Sequence, residues 1–318
     1  MNKVIDKINN ASSPFASFEL VPPLKGSDVN VLYKSIEPLI ELNPAYINVT
    51  CHRDEVQYIP NDNGTYSKLT LSKRPSMLAI VAAIMQRFDV DIVPHVICGG
   101  ASMGKIESEL LDLHFMGVNN VVALRGDAEP GQKRFIPDPE GFTHSDQLVE
   151  MIARLNRGQY LDPRIMNGVS TDFCVGVAGY PEKHYEAPNM CTDIEHLKRK
   201  VEAGADYIVT QMFFDNAKFY EFRDKCREAG INVPIIPGLK PLSTAKQIQT
   251  IPQAFHLDIP NDLVSELQQH DNKEEQYEIG IEWCIAQCRD LLAHDVPALH
   301  FYTMGRADNV RRIVKAVI

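Results

Sequence analysis

The chain has 318 residues, 44% of them hydrophobic and 23% charged, and its 32 Lys and Arg against 42 Asp and Glu leave a formal charge of −10. Such a composition excludes disordered, collagen-like and fibrous coiled-coil classes and supplies a large core. The acidic balance argues against wrapping a nucleic-acid backbone or docking on an anionic membrane by bulk charge, since both need a clustered positive field, and it moves small-molecule partners forward.

The N-terminal MNKVIDKINNASSPF lacks the apolar segment of about 7–15 residues that marks a secretory signal, which points to the cytoplasm and reduced thiols. The longest apolar run, Met77 to Met85, stops well short of the roughly 20 residues that span a bilayer, so no membrane partner is expected. Eight short β-branched and aromatic runs then follow one another. They are FASFEL ending near Glu19, YINVT ending at Thr50, DIVPHVI around His95, NNVVALRGD ending at Asp127, DFCVGVAGY ending at Tyr180, DYIVTQMFF around Gln211, VPIIPG ending near Gly238 and ALHFYT ending near Thr303. Most are trailed by a segment with helical periodicity. Ser72 precedes RPSMLAIVAAIMQRF with Pro75 in the first turn, Gly117 ends KIESELLDLHFMG, and Ser145 and Asp146 cap QLVEMIARLNRG. Thr192-Asp193-Ile194-Glu195 reads as a capping box that opens IEHLKRKVEAG, which closes on Gly204. A longer helical insert precedes the last strand.

Eight βα units without an interrupting linker predict one α/β domain over 1–318, either a doubly wound sheet or a (β/α)8 TIM-type barrel. The barrel is favoured because Glu19, Thr50, His95, Asp127, Tyr180, Gln211 and Tyr302 gather at or just after the carboxyl ends of the strands, where a barrel enzyme keeps its site. The long loop AEPGQKRFIPDPEGFTH after Asp127 reads as a lid or binding loop. Seven scattered cysteines with no CxxC pair point away from a disulfide scaffold, and Cys284 and Cys288, four apart without further ligands nearby, read as small core residues.

Several residues suggest chemistry. Glu19 lies between Phe18 and Leu20, where desolvation raises a carboxyl pKa toward the range useful for an acid; the bland alternative is a lysine partner across the barrel mouth. Asp127 leaves an apolar strand beside Arg125 and Gly126, suited either to a ligand's polar edge or to pairing with Arg125. His95 reads as a base, a cofactor contact or a satisfied histidine, and no metal is expected without a second histidine at ligand spacing. Gln211, an amide inside an apolar run, suits the donor and acceptor edge of a heteroaromatic ring, or else bridges strand carbonyls. His196, Arg199 and Lys200 fall at i, i+3 and i+4 on one helix face, a phosphate site or a solvated basic face. Gly99 to Lys105 match the first seven positions of a P-loop, but Ile106 stands where the Mg²⁺-binding Ser or Thr belongs, which disfavours nucleotide hydrolysis.

Taken in order, SFELVPP, INVT, PHVIC, VVALRGD, GYPEKH, LKRKVEAGADYIVTQMFFD, IIPGLKP and HFYTMGRA resemble the 5,10-methylenetetrahydrofolate reductase family along nearly the whole chain. The resemblance implies the catalytic barrel alone, a homo-oligomer that carries FAD, takes hydride from NADH or NADPH and passes it to methylenetetrahydrofolate by a ping-pong mechanism. By that resemblance Glu19 is the general acid, Asp127 favours the cationic iminium, and Gln211 takes the pterin or the nicotinamide in turn. Thr50, His95, Arg125, Gly126, Asp127, Tyr180, His184, Asp193, His196, Arg199 and Lys200 are assigned to the flavin, and Gln211, Gln247 and Arg306 to the substrate. The chain departs from the family pattern at Cys51-His52-Arg53, at His196 where Asn is expected, at His144 in place of a Tyr, and at Ile251 in place of a stacking Phe. Competing readings are another flavin barrel such as proline dehydrogenase, an ATP-dependent phosphotransferase, and a non-catalytic folate-binding protein.

Overall fold

The computed structural model describes residues 1–129, 132 and 134–318. Its elements run α1 (Val4–Asn10), β1 (Phe15–Leu20), α2 (Val29–Ile40), β2 (Ile47–Val49), β3 (Glu55–Pro60), β4 (Tyr66–Leu71), α3 (Met77–Arg87), β5 (Ile92–Ile97), α4 (Met103–Phe115), β6 (Asn120–Leu124) and α5 (Ser145–Leu155). They continue with β7 (Cys174–Gly179), α6 (Met190–Ala203), β8 (Tyr207–Thr210), α7 (Asn216–Glu228), β9 (Ile235–Ile236), β10 (Gly238–Leu239), α8 (Gln247–Phe255), α9 (Asn261–Gln269), α10 (Lys273–Ala293), β11 (Ala298–Tyr302) and α11 (Asp308–Val317).

The sheet order β10-β11-β1-β2-β5-β6-β7-β8-β9 is parallel throughout. β9 and β10 are one segment interrupted at Pro237, whose ring nitrogen has no hydrogen to give a ladder. Counting them together leaves eight strand positions in a ring, the expected TIM-type barrel. His300 N donates to Pro237 O at 3.0 Å and Gly238 N to Thr210 Oγ1 at 2.9 Å, so the ring closes across the break. A Cβ at Gly238 would stand 2.1 Å from Thr210 O, which explains the glycine.

Alternation along the strands divides the side chains between two environments. Outward residues such as Phe18, Leu20, Val49, Val121, Val177, Ile208, Leu239 and Phe301 pack against the helices in the main core. Inward ones, including Tyr46, Val93, Val122, Cys174, Tyr207, Ile236 and Ala298, form an inner layer that Val4 of α1 joins. The N-terminal helix is tied down there, with Val4 N donating to Asn120 Oδ1 at 2.8 Å.

The elements depart from the sequence reading in several further places besides α1 and the break at Pro237. The hairpin β3–β4 is additional; its residues are mostly exposed and carry no inward apolar face to mark it. α6 begins at Met190 because Asn189, rather than Thr192, caps it by accepting from Thr192 N. α3 is capped by Ser76 rather than by Ser72, and Pro75 precedes the cap. At α5 the cap is His144, with Gln147 reaching back to its N–H, so Ser145 is already helical. The insert before the last strand resolves into α8, α9 and α10. Gly117 and Gly204 take positive φ at the ends of α4 and α6, as read, and Cys284 and Cys288 are buried in α10.

Candidate active site

The carboxyl ends of the strands open into a cavity of about 970 Å³, at the upper end of the roughly 300–1,000 Å³ typical of ligand sites. Its lining combines inward strand residues with the loops that follow them. β1 gives Glu19, β2 gives Asn48 and the loop residues Thr50 to Arg53, β5 gives His95 and Ile97, and β6 is followed by Arg125, Gly126 and Asp127. Tyr180 and His184 come from the β7 end, Asp193, His196, Arg199 and Lys200 from α6, Gln211 from the β8 end, and His300 and Tyr302 from β11.

On the floor, Glu19 has a side chain only 14% exposed, and its Oε2 stands 3.6 Å from His95 Nε2. Burial pushes the Glu19 carboxyl up to about 8 and His95 down to about 3, because a charged form loses its hydration in either case. Both are therefore neutral near pH 7, and Glu19 faces a histidine rather than a lysine. Asn48 Nδ2 lies 3.2 Å from the same His95 nitrogen. One layer deeper, Ser17 Oγ is 2.9 Å from His300 Nδ1; burial and the neighbouring His95 push His300 to about 3.

The wall carries the cations. Lys200 Nζ donates to Ala178 O at 3.0 Å, and burial lowers it to about 8 against the pull of Asp193 and Asp146. Arg125 pairs with Glu186 rather than Asp127 and lies over the Phe135 ring, 4.9 Å from its centroid. Asp193 accepts from His184 N at 2.9 Å, which fixes the loop after β7 against α6. Gln211 Oε1 accepts from the following Met212 N at 2.9 Å, and Gln211 N donates to Gly179 O at 2.8 Å.

A dinucleotide needs donors and cations for its phosphates and a polar edge for its ring. Arg125, His196, Arg199 and Lys200 supply the first, His95, Thr50 and Gln211 the second, and Asp146 Oδ1 is buried beside them without a partner. The donor set fits a flavin dinucleotide. The P-loop-like turn does not serve the same purpose: Ile106 is fully buried in the core, Lys105 is exposed on α4, and Ser102 caps that helix.

The family model for methylenetetrahydrofolate reductase matches residues 4–317. The chain belongs to the methylenetetrahydrofolate reductase family. It is 32% identical over 316 residues to methylenetetrahydrofolate reductase (NADH) 1 of Arabidopsis thaliana, covering 95% of this chain and 48% of that one. With 5,10-methylenetetrahydrofolate reductase of Salmonella typhimurium it shares 31% identity over 293 residues, 92% of this chain and 86% of the other. The chain thus spans about half the length of its plant relative and most of the bacterial one. Among solved structures, an uncharacterized protein from Clostridium thermocellum that binds two copies of 5-methyl-5,6,7,8-tetrahydrofolic acid has TM-score 0.58 and 14% identity, covering 98% of this chain and 97% of that one. At that identity the likeness concerns the fold.

Every residue that the family resemblance assigns to the flavin lines the cavity, as do Glu19 and Gln211. Gln247 and Arg306 do not. Gln247 Oε1 accepts from Ser243 N at 2.6 Å, and Arg306 is exposed in the turn after β11. Cys51, His52, Arg53 and His144, where the chain departs from the family pattern, line the cavity, whereas Ile251 is buried in a cluster beneath α8. Of the long loop, Pro130, Gly131 and Lys133 lie outside the described residues; near its start Glu129 pairs with Arg53 at 2.5 Å, and Ala128 and His144 border the cavity. Asn48, His300 and Phe255 were missed from sequence. The first two sit two residues before Thr50 and Tyr302 on the same inward strand face, so strict alternation would have pointed to them.

Proposed function

We propose that this chain reduces 5,10-methylenetetrahydrofolate to 5-methyltetrahydrofolate, using FAD held in the barrel mouth and hydride from NADH or NADPH. Family membership supports the reading, and one observation carries it: the Glu19 carboxyl, raised to about 8, stands in the same cavity as a cationic wall. A reduction that must open a ring at nitrogen needs an acid that is still protonated at neutral pH.

The flavin, when bound, supplies the hydride relay between nucleotide and folate. Arg125, His184, His196, Arg199 and Lys200 hold its anionic and polar groups, while Thr50, His95, Gly126, Tyr180 and Asp193 fix its orientation. Glu19 gives its proton to N10 as the bond from N10 to the methylene carbon breaks. The Asp127 carboxylate favours the iminium left at N5. Gln211 takes the pterin edge or the nicotinamide in turn, and because one cavity serves both, the two substrates alternate in a ping-pong cycle. Gln247 and Arg306, which stand outside the cavity lining, are assigned to the folate side by the family resemblance alone.

An absorbance spectrum of the purified protein tests this. It should show bound flavin, bleach on anaerobic addition of NADH, and recover on addition of methylenetetrahydrofolate. Glu19→Gln should still bleach but recover about 10²–10⁴ times more slowly. Equal recovery in mutant and parent removes Glu19 from the chemistry, and a colourless protein that binds no added flavin removes the whole reading.

A further inference from the structure

Asn48 is the register partner of Glu19 on the adjacent strand and is 1% exposed, in a part of a barrel interior where branched apolar side chains ordinarily pack. Its Oδ1 is buried without a partner, which destabilises the fold. A Val or Leu would avoid that cost, so the amide needs another reason. Its Nδ2 lies 3.2 Å from His95 Nε2, the nitrogen that also stands 3.6 Å from Glu19 Oε2. A ring nitrogen offers either one hydrogen or one lone pair. If that lone pair were free, the Glu19 O–H would turn toward it, and the attraction between a carboxylate and an imidazolium 3.6 Å apart would work against the burial that keeps both groups neutral.

We propose that Asn48 is a positioning residue that occupies His95 Nε2 and so keeps the proton on Glu19 until the substrate nitrogen takes it. This rests on Glu19 being the acid of the reaction proposed above. In the step itself the Glu19 O–H bond breaks and an N10–H bond forms. The electron pair of the bond from N10 to the methylene carbon moves to N10 while the N5 lone pair forms the iminium. Glu19, left as carboxylate, regains a proton from solvent through the cavity.

The surroundings leave His95 as the base in question. Tyr302, the register partner of Glu19 on β11, and Tyr180 at the β7 end have phenols raised by burial. His300 has its Nδ1 against Ser17 Oγ and is held near 3, and His52 is lowered by burial and by Arg74. The cavity cations Arg53, Lys73, Arg74, Arg125, Arg199 and Lys200 and the acidic Glu55, Asp127, Asp146 and Asp193 come from α5, α6 and from other strand ends and loops, and burial is what raises Glu19.

The test is NMR on the flavin-containing protein with ¹³C-labelled glutamate carboxyls and ¹⁵N-labelled histidine. The Glu19 signal, identified by its loss in Glu19→Gln, should titrate at about 8 in the parent. In Asn48→Leu and in Asn48→Val it should titrate at least about one unit lower, and in Asn48→Leu/His95→Leu it should return to the parent midpoint. A drop of one unit would about halve the protonated fraction at pH 7 and a drop of two would cut it about tenfold, so recovery with methylenetetrahydrofolate slows about two- to tenfold while bleaching by NADH does not. In the parent, which needs no variant to fold, His95 should show an unprotonated Nε2 and a protonated Nδ1. An unchanged Glu19 midpoint in the Asn48 variants, or a proton on His95 Nε2 in the parent, overturns the inference. These outcomes are separate from the Glu19→Gln result: if that variant recovers normally the proposed reaction fails, whereas if it is inactive and the Asn48 variants titrate like the parent only the role of Asn48 fails.

Discussion

Glu19 Oε2 and His95 Nε2 face each other at 3.6 Å, an acid and a base both held in their neutral forms by burial. That relationship fixes the sign of two pH dependences. Glu19, moved from 4.5 to about 8, binds its proton more tightly in the folded chain, so its contribution to stability is present at low pH and is lost as pH rises through that window. His95 and His300, moved from 6.5 to about 3, bind theirs more tightly when unfolded, so they destabilise the fold as pH falls from 6.5. Glu19→Gln should remove the alkaline loss and keep the acid one. Urea unfolding of the two proteins should agree near pH 4.5 and differ by a few kcal/mol at pH 9, with the variant more stable. Parallel curves across the range would mean that Glu19 titrates normally.

The closure of the ring at Pro237 depends on Gly238. An added methyl would meet Thr210 O at 2.1 Å and the Tyr302 ring at 2.6 Å, and Tyr302 is itself fixed by donating to Thr210 O at 2.6 Å. Neither neighbour can yield without breaking a strand contact. Gly238→Ala should therefore lose about 1–3 kcal/mol in urea unfolding and reduce flavin content along with stability. A variant as stable as the parent would show that the segment between β8 and β11 is more adaptable than its contacts imply.

Most of the barrel and its mouth was legible in the sequence because a parallel sheet buried on both sides writes itself as short apolar runs, most of them ending in a polar residue. All eight runs became strand positions, and Glu19, His95, Asp127, Tyr180 and Gln211 came together at one end. The β3–β4 hairpin escaped because nearly all its side chains are exposed, which removes the alternation that reveals a half-buried strand. Helix starts were missed by a few residues because Asn189, Ser76 and His144 compete with equally good capping residues nearby. Desolvation of Glu19 was read from its apolar neighbours, but its pairing with a neutral His95 was out of reach. It arises from three strands meeting, with Asn48 between them, and no local pattern records such a meeting.

Lys200 and Lys198 occupy the same helix with opposite fates. Lys200 Nζ is buried against Ala178 O and lines the cavity, while Lys198 is 47% exposed and 3.9 Å from Glu202. Replacing Lys200 with Met should remove a charge-assisted contact worth about 1.5–3 kcal/mol and weaken flavin binding about 10–100-fold in a fluorescence titration. Lys198→Met should bind flavin as the parent does. Equal affinities for all three proteins would mean that the buried Lys200 makes no contact with the flavin.

Ile251 and Phe255 lie one turn apart on α8, and the apolar ring that the family pattern leads one to expect at the first is found at the second. Ile251 is 4% exposed and packs with Met212, Leu263 and Leu267 in the cluster under the helix, whereas Phe255 reaches the cavity. The end of α8 is anchored beside the site, because His256 stacks on Tyr185 at 4.7 Å and Tyr185 stacks on His184 at 4.8 Å. In the reaction proposed above, a stacking face for the nicotinamide nucleotide would come from Phe255. Phe255→Ala should raise the KM for NADH about tenfold, the loss of roughly 1.4 kcal/mol of aromatic contact, and leave the KM for methylenetetrahydrofolate nearly unchanged. Ile251→Ala should instead cost about 2–5 kcal/mol of stability with little effect on either KM once folded. The opposite pattern, with KM for NADH following Ile251 and stability following Phe255, would exchange the two roles.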